Sequence, residues 1–188
     1  MTIFKTIAAS ALTGLAALGF ASASVAATTI VEGSPEAHEL LVQEIRSNGV
    51  KIVINDPFCG EEEDLMGLYD GKERKLVVCQ DNGVPGGPAV TWTANDLDTL
   101  RHEAQHMIQD CKVGTNHDYQ LSPIYHSPSA FAQEVLGLEG VHRITSTYRE
   151  KGASDLILLL EYEAFAVAAR NIPGDQARDM SIICGRNQ

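Results

Sequence analysis

Apolar residues recur along the chain at two spacings, and each spacing predicts its own kind of element. Between residues 34 and 49 they recur at a helical period. Ser34-Pro35-Glu36 provides a capping hydroxyl and a proline at the first helical position, and Asn48-Gly49 is typical of a helix end. Residues 50–55 then favour a strand, which Asp56-Pro57 interrupts. A helix and a strand are therefore expected at the start of the folded part.

A hairpin pattern follows this first strand. Residues 65–69 and 74–80 favour two strands, and Asp70-Gly71 between them is a turn signal. Residues 81–88 form a loop rich in glycine and proline. Residues 89–92 are predicted to form a further short strand that leads into the next helix.

The second half of the chain is predicted to be largely helical. Thr93 and Asp96 form a capping-box pattern at the start of a helix that ends near residues 112–114. Its apolar stripe has a helical period and consists of Leu97, Leu100, Ala104, Ile108 and Cys111. After a loop at 115–128, two or three helices are expected: one from Pro128 to Gly137 or Gly140, one over 141–151, and a last one from Ser154 to about Arg170, closed by Asn171 and Pro173. Short strands followed by helices indicate the α+β class.

The first 27 residues have the pattern of a secretory signal peptide. Lys5 precedes an apolar run over residues 7–20, and small residues lead to a cleavage point after Ala27. A membrane anchor is the alternative, but this run is short for a span of about 20 residues. Removal of 27 residues from the chain of 188 leaves 161, residues 28–188, which suits a single domain. The protein is therefore expected to be secreted or periplasmic, without stable membrane insertion after cleavage.

The charge of the chain bears on its partners. The formal net charge is −11, and it becomes −12 when the signal peptide removes Lys5. Such a protein repels phosphates, so nucleic acid is not an expected partner.

Four cysteines follow the signal peptide, and an even number in an exported chain predicts two disulfides. Cys59 and Cys79 flank the hairpin-like segment, so they are paired, which leaves Cys111 with Cys184. Four buried thiols or a cysteine metal cluster is the alternative. A cysteine zinc site is disfavoured because the chain lacks a C-x-x-C pair.

The predicted helix after Thr93 carries His102, Glu103 and His106 in the spacing H-E-x-x-H. Residues four apart share one face of a helix, so the two histidines can bind one metal ion. Zinc lowers the pKa of a bound water towards about 7, and Glu103 can then act as the general base. The alternative is a chance motif in a disulfide-stabilised structural or interaction protein.

A catalytic zinc site needs a third protein ligand, and three sequence patterns can supply it. The metzincin pattern is excluded because Gln109 and Lys112 stand where it requires Gly and His. A Gly-Thr-x-Asp loop is approached at residues 114–118, but Asp118 comes one residue late. A glutamate on a later helix is the third pattern.

Glu161 and Glu163 interrupt an otherwise apolar helix over residues 158–170. A buried carboxylate is costly unless it is paired or bound to metal. Glu161 sits deepest in the apolar run, so it is the preferred third ligand, whereas Glu163 is expected on a solvated side. Ala164 and Ala168 would allow this helix to pack closely on another, as a shared metal requires.

These residues resemble the gluzincin branch of the zincin metallopeptidases. In that family H-E-x-x-H is joined by the first Glu of an E-x-x-[Ala/Ser] motif on a later helix, which corresponds here to Glu161 and Ala164. The family often has Asp or Asn next, to orient a zinc histidine, but this chain has Phe165. Asp110 or Asp155 is the candidate for that orienting hydrogen bond.

The resemblance implies a zincin-like fold, with a small mixed or antiparallel sheet beside the H-E-x-x-H helix and a helical part that carries Glu161. It also implies one zinc ion and a peptide or protein substrate, with residues 89–92 as the edge strand that binds an extended peptide. An oxyanion-binding partner is expected as well, and none is preferred among Tyr125, His126, His142, Tyr148 and Tyr162.

The sequence therefore predicts an exported zinc-dependent hydrolase, in first place a metallopeptidase. The metal ligands would be His102, His106 and Glu161, and Glu103 would be catalytic. The alternative is a catalytically inactive zincin-like protein that binds metal or a partner.

Overall fold

The structure of this chain, a computed structural model, describes residues 35–61, 65–114 and 120–185. The predicted signal peptide with its cleavage point after Ala27 lies outside the described residues, and so does Asp118.

Five α-helices and a three-stranded sheet make up the described part of the chain, which confirms the α+β class. In chain order they are α1 (Pro35–Ser47), β1 (Lys51–Ile54), β2 (Gly67–Asp70), β3 (Lys75–Val78), α2 (Ala94–Val113), α3 (Pro128–Glu150), α4 (Asp155–Arg170) and α5 (Pro173–Gly185), with a 3₁₀ helix at Pro57–Gly60 after β1. These bounds agree with the predicted helix at 34–49 and with the strands predicted around residues 52, 67 and 77.

The sheet is mixed and has the order β1-β3-β2. β1 runs parallel to the central strand β3, with Lys51 opposite Lys75. β2 runs antiparallel to β3, with Gly67 opposite Val78, as the turn signal at Asp70-Gly71 predicts. β2 is therefore an edge strand.

The prediction of a strand over residues 89–92 was wrong, because this segment does not join the sheet. The side-chain amide of Gln80 serves the backbone of Val90 instead. It accepts from the Val90 N–H at 2.7 Å and donates to the Val90 carbonyl at 3.0 Å. Because the Gln80 side chain already pairs with the N–H and carbonyl groups of Val90, these groups are satisfied without hydrogen bonds to a neighbouring strand.

α2 is the central helix, and it packs against β2, β3, α4 and α5. Its inner face belongs to a core cluster built from α1, the sheet, α2 and α5, which includes Leu41, Ile45, Leu76, Leu100, Ile108 and Met180. A second cluster lies between α3 and α4 and includes Ile144, Tyr148, Leu158 and Ala166. α2 and α4 therefore meet where the two clusters adjoin.

The helical half agrees with the prediction at Gly137 and differs from it at Pro173. Gly137 has non-helical angles, φ 71° and ψ 173°, and divides α3 into two helical segments, as the helix predicted to stop near Gly137 or Gly140 requires. The sequence placed its last helix before Pro173, whereas Pro173 begins α5. Proline is as well suited to the first helical position as to the residue after a helix, so its presence alone does not decide between them.

Both predicted disulfides are confirmed. Cys59 is joined to Cys79 across 20 residues, and Cys111 is joined to Cys184 across 73 residues. Two disulfides are typical of a protein in an oxidising, extracellular environment. None of the described helices is both long and apolar enough to span a membrane.

Candidate metal centre

The N-terminal cap of α2 sets the register of the helix that carries the two histidines. The Thr93 hydroxyl accepts from the Asp96 N–H, and the Asp96 carboxylate accepts from the Thr93 N–H. His102 and His106 lie one turn apart on the face of α2 that meets α4, and they are 5% and 6% exposed. The predicted helical placement of both residues is thus confirmed.

The structure brings Glu161 of α4 to the two histidines. The Nε2 atoms of His102 and His106 are 3.1 Å apart. The Glu161 carboxylate lies across both, with Oε2 at 3.2 Å from His102 Nε2 and Oε1 at 3.5 Å from His106 Nε2. Ala164 and Ala168 on the same helix are 0% and 5% exposed, and their small side chains suit the close approach of α4 to α2.

These separations fit a small divalent cation. Donors at the corners of a tetrahedron lie about 3.3 Å apart when metal–nitrogen bonds are about 2.0–2.1 Å long. The Nε2–Nε2 distance of 3.1 Å and the distances of 3.2 and 3.5 Å from each nitrogen to one of the two Glu161 oxygens bracket that value. Two imidazole nitrogens and a carboxylate form a donor set used for transition metals. The buried group of His102, His106 and Glu161 could therefore hold a metal ion.

Glu103 lies beside this group on the side of the sheet. It is 1% exposed, and its Oε2 atom has no hydrogen-bond partner among the described residues. The backbone N–H of Tyr69 in β2 donates to its carboxylate. Burial raises the pKa of Glu103 to about 8, although the nearby positive charge of His106 opposes the rise. A carboxyl group with such a pKa can exchange a proton near neutral pH.

The charges of the group are coupled. Burial alone lowers the pKa of His106, but the negative charge of Glu161 and a hydrogen bond to it outweigh burial and raise that pKa to about 9. Burial alone raises the pKa of Glu161, but His106 and His102 hold it well below its usual range. Burial lowers the pKa of His102. In the metal-free protein a positive His106 therefore faces a negative Glu161.

The orienting hydrogen bond comes from a residue that the sequence did not single out for this role. Gln109 Oε1 lies 2.8 Å from His106 Nδ1. The two aspartates predicted for this hydrogen bond have other partners. Asp110 accepts from the Tyr69 hydroxyl at 2.8 Å, and Asp155 pairs with Arg149 at the surface. Gln109 stands three residues after His106, on the same helix face, and that spacing was the available signal.

Glu163 was expected on a solvated side, and that expectation was wrong. Its side chain is fully buried, and it lies apart from the ligand group. It accepts from the side-chain amides of Gln105 and Gln109 and from the backbone N–H groups of Ile124 and Tyr125. Amide partners on a neighbouring helix and loop are invisible in local sequence.

Aromatic residues complete the surroundings of the group. The Tyr148 hydroxyl, fully buried, donates to Glu161 Oε2 at 2.8 Å. The Phe165 ring packs edge-on against His102, with 4.4 Å between centroids. His102 Nδ1 is buried without a hydrogen-bond partner in the described part of the chain. Phe165 thus takes the place of a polar orienting side chain.

The structure separates the five candidate oxyanion-binding residues. Tyr148 donates a hydrogen bond to Glu161 of the ligand group. Tyr162 shares a hydrogen bond with Thr145, Tyr125 stacks on Phe131, and the two remaining histidines, His126 and His142, are exposed.

Searches against profiles of known protein families, curated protein sequences and solved structures found no match to this chain.

Proposed function

We propose that this protein is an exported zinc-dependent peptidase with a zincin-like fold. His102, His106 and Glu161 hold the metal, and Glu103 is the general base. One observation carries the proposal: two histidine nitrogens 3.1 Å apart on one helix each lie 3.2–3.5 Å from an oxygen of a single carboxylate on another helix, beside a buried glutamate on the same helix as the histidines.

Each side chain has a chemical role in this proposal. When bound, zinc supplies a water of lowered pKa and a positive charge that stabilises the oxyanion. Glu103 would accept a proton from the attacking water and later give it to the leaving amine. Its free Oε2 atom is available for the proton, while the Tyr69 N–H fixes the rest of the carboxylate. Tyr148 holds the Glu161 carboxylate in place.

A peptide substrate is supported by the edge strand β2 rather than by residues 89–92. The Cys79 N–H donates to the Met66 carbonyl, so Met66 faces β3. Backbone groups alternate along an antiparallel strand, so those of Gly67 and Tyr69 face away from β3. That direction leads to Glu103, whose carboxylate accepts a hydrogen bond from the Tyr69 N–H. An extended peptide on this edge would lie next to the general base.

The test is metal content and peptide hydrolysis by residues 28–188. We expect about one zinc per chain, lost in His106→Ala and Glu161→Ala. Glu103→Gln should keep the zinc and lose at least about 100-fold in turnover of a labelled denatured protein. Glu150→Gln, which changes an exposed acid, is the matched control and should behave as the wild type. A Glu103→Gln variant that cleaves at the wild-type rate would contradict the role of Glu103 as the general base.

A second function, metal binding without turnover, is favoured by the burial of the group. The three ligand candidates are 5–6% exposed and Glu103 is 1% exposed, which leaves a substrate little access to them. Bound zinc without hydrolysis of any peptide would support this second function. Absence of zinc even after incubation with it would exclude both functions.

Export is tested separately from the chemistry. N-terminal sequencing of the protein recovered outside the cytoplasm should begin at Thr28, as cleavage after Ala27 requires. A mature chain that keeps Met1 would contradict export through this signal.

A further inference from the structure

The side-chain amide of Gln109 is held from both sides. Its Nε2 atom donates to the Leu160 carbonyl at 3.1 Å and to Glu163 Oε1 at 3.0 Å. Its Oε1 atom therefore points to His106 Nδ1, at 2.8 Å. Gln109 is fully buried, so water does not compete for these bonds.

This arrangement fixes a proton on His106. The orientation of an amide is decided by its partners, and the amino group of Gln109 faces two groups that can only accept. The remaining oxygen can only accept as well, so His106 Nδ1 must carry a hydrogen. A neutral His106 then has its lone pair on Nε2, the atom that faces His102 and Glu161.

Glu163 keeps the amide from turning. Its carboxylate is itself held by Gln105 of α2 and by the backbone N–H groups of Ile124 and Tyr125, at 2.8–3.0 Å. α2 thus provides His106 and Gln109, while α4 provides Glu161 and Glu163. One helix pairing therefore positions both the ligand group and the clamp behind it.

We propose that Gln109, clamped by Glu163, is a positioning residue that keeps the hydrogen of His106 on Nδ1 and thereby sets the affinity of the site for a divalent metal. The inference rests on the metal site of the proposed function and is independent of hydrolysis. Groups that orient a metal-binding histidine typically change metal affinity by about 10–100-fold.

The experiment is a titration with cobalt(II) alone, followed by its visible absorption. Gln109→Met keeps the shape of the side chain and removes the acceptor. We expect its dissociation constant to rise about 10–100-fold, with an altered absorption spectrum. Gln176→Met is the matched control, because Gln176 is also a buried glutamine and also donates to a backbone carbonyl, that of Arg101, but has no hydrogen bond to His106, Gln109 or Glu163 among the described residues. It should leave the constant and the spectrum close to those of the wild type.

A double variant tests whether Glu163 acts through Gln109. Glu163→Gln should weaken cobalt binding in the wild type, whereas adding it to Gln109→Met should cause no further loss. Additive losses would overturn the claim about Glu163. Equal cobalt affinity in Gln109→Met and Gln176→Met would overturn the claim about Gln109.

A measurement on the unmodified chain keeps the inference testable if a variant does not fold. Imidazole ¹⁵N spectra of the zinc-loaded protein should show His106 bound through Nε2 with a hydrogen on Nδ1. Binding through Nδ1 would overturn the inference and leave the proposed function standing. If the wild type binds neither cobalt nor zinc, both fall together.

Discussion

At the scale of the residue, Glu103 carries the clearest electrostatic signature. It is an acid inside the protein, and burial raises its pKa from about 4.5 to about 8. The folded, metal-free protein therefore keeps a proton on Glu103 at a pH where the unfolded chain has lost it. Linkage then requires that stability fall as the pH rises between these two values.

This linkage predicts a difference between the wild type and Glu103→Gln in the metal-free state. Between pH 5 and 6.5 the free energy of unfolding of the wild type should fall relative to that of Glu103→Gln by about 2 kcal/mol, at about 1.4 kcal/mol per pH unit. The lowered pKa of His102 makes stability rise with pH below 6.5, but it does so in both proteins and cancels in the difference. The contribution of His106, whose pKa is raised from 6.5 to about 9, is lost only above this window. Urea unfolding with a chelator present measures both.

Glu150→Gln serves as the control, because Glu150 is exposed, and its curve of stability against pH should run parallel to that of the wild type. Parallel curves for the wild type and Glu103→Gln would contradict a proton held on Glu103 in the folded state.

At the scale of the element, the contact between β2 and α2 places the sheet edge beside the site. Gly67 is a point of close approach. A Cβ atom there would lie 2.5 Å from Thr99 Cγ2, 2.9 Å from the Val77 carbonyl oxygen and 3.0 Å from Glu103 Cγ. The missing side chain thus allows the strand to rest on the helix.

We expect Gly67→Ala to push β2 away from α2. It should lower the free energy of unfolding by about 1–3 kcal/mol, the usual range for overpacking. Peptide turnover should fall with it, because the Tyr69 N–H that holds Glu103 would move. Urea unfolding and a hydrolysis assay check the two effects. Gly185→Ala is the control, because a Cβ there meets nothing within 4 Å; equal stability of the two variants would refute the close packing.

At the scale of the whole molecule, two disulfides join distant parts of the chain. The shorter loop ties the segment after β1 to the end of β3, and the longer loop ties the C-terminal end of α2 to α5. A crosslink restricts the unfolded chain more when its loop is longer. The disulfide that closes a loop of 73 residues should therefore contribute more to the free energy of unfolding than the disulfide that closes a loop of 20 residues.

Paired substitution of cysteine by serine tests this order. Removal of Cys111–Cys184 should cost about 4 kcal/mol of unfolding free energy, and removal of Cys59–Cys79 about 3 kcal/mol. Denaturant unfolding of the two variants beside the oxidised wild type gives both values. A larger loss for the shorter loop would show that contacts in the folded state, rather than loop length, decide these contributions.

The sequence by itself determined the features that depend on neighbours along the chain. The cap at Thr93 and the spacing of His102 and His106 placed both histidines on one face of a helix, because helical period is a local property. Glu161 was found because an acid inside an apolar run needs a buried partner. The disulfide pairing followed from the hairpin between Cys59 and Cys79.

Only the tertiary structure decided which groups meet across elements. Glu163 differs from Glu161 by two residues, yet the packing of α4 turns it to Gln105, Gln109 and a loop backbone rather than to the histidines. Residues 89–92 have a strand pattern, but the Gln80 side chain takes their hydrogen bonds. Such partners are dozens of residues apart in several cases, and their choice depends on geometry that folding creates, so no local pattern contains it.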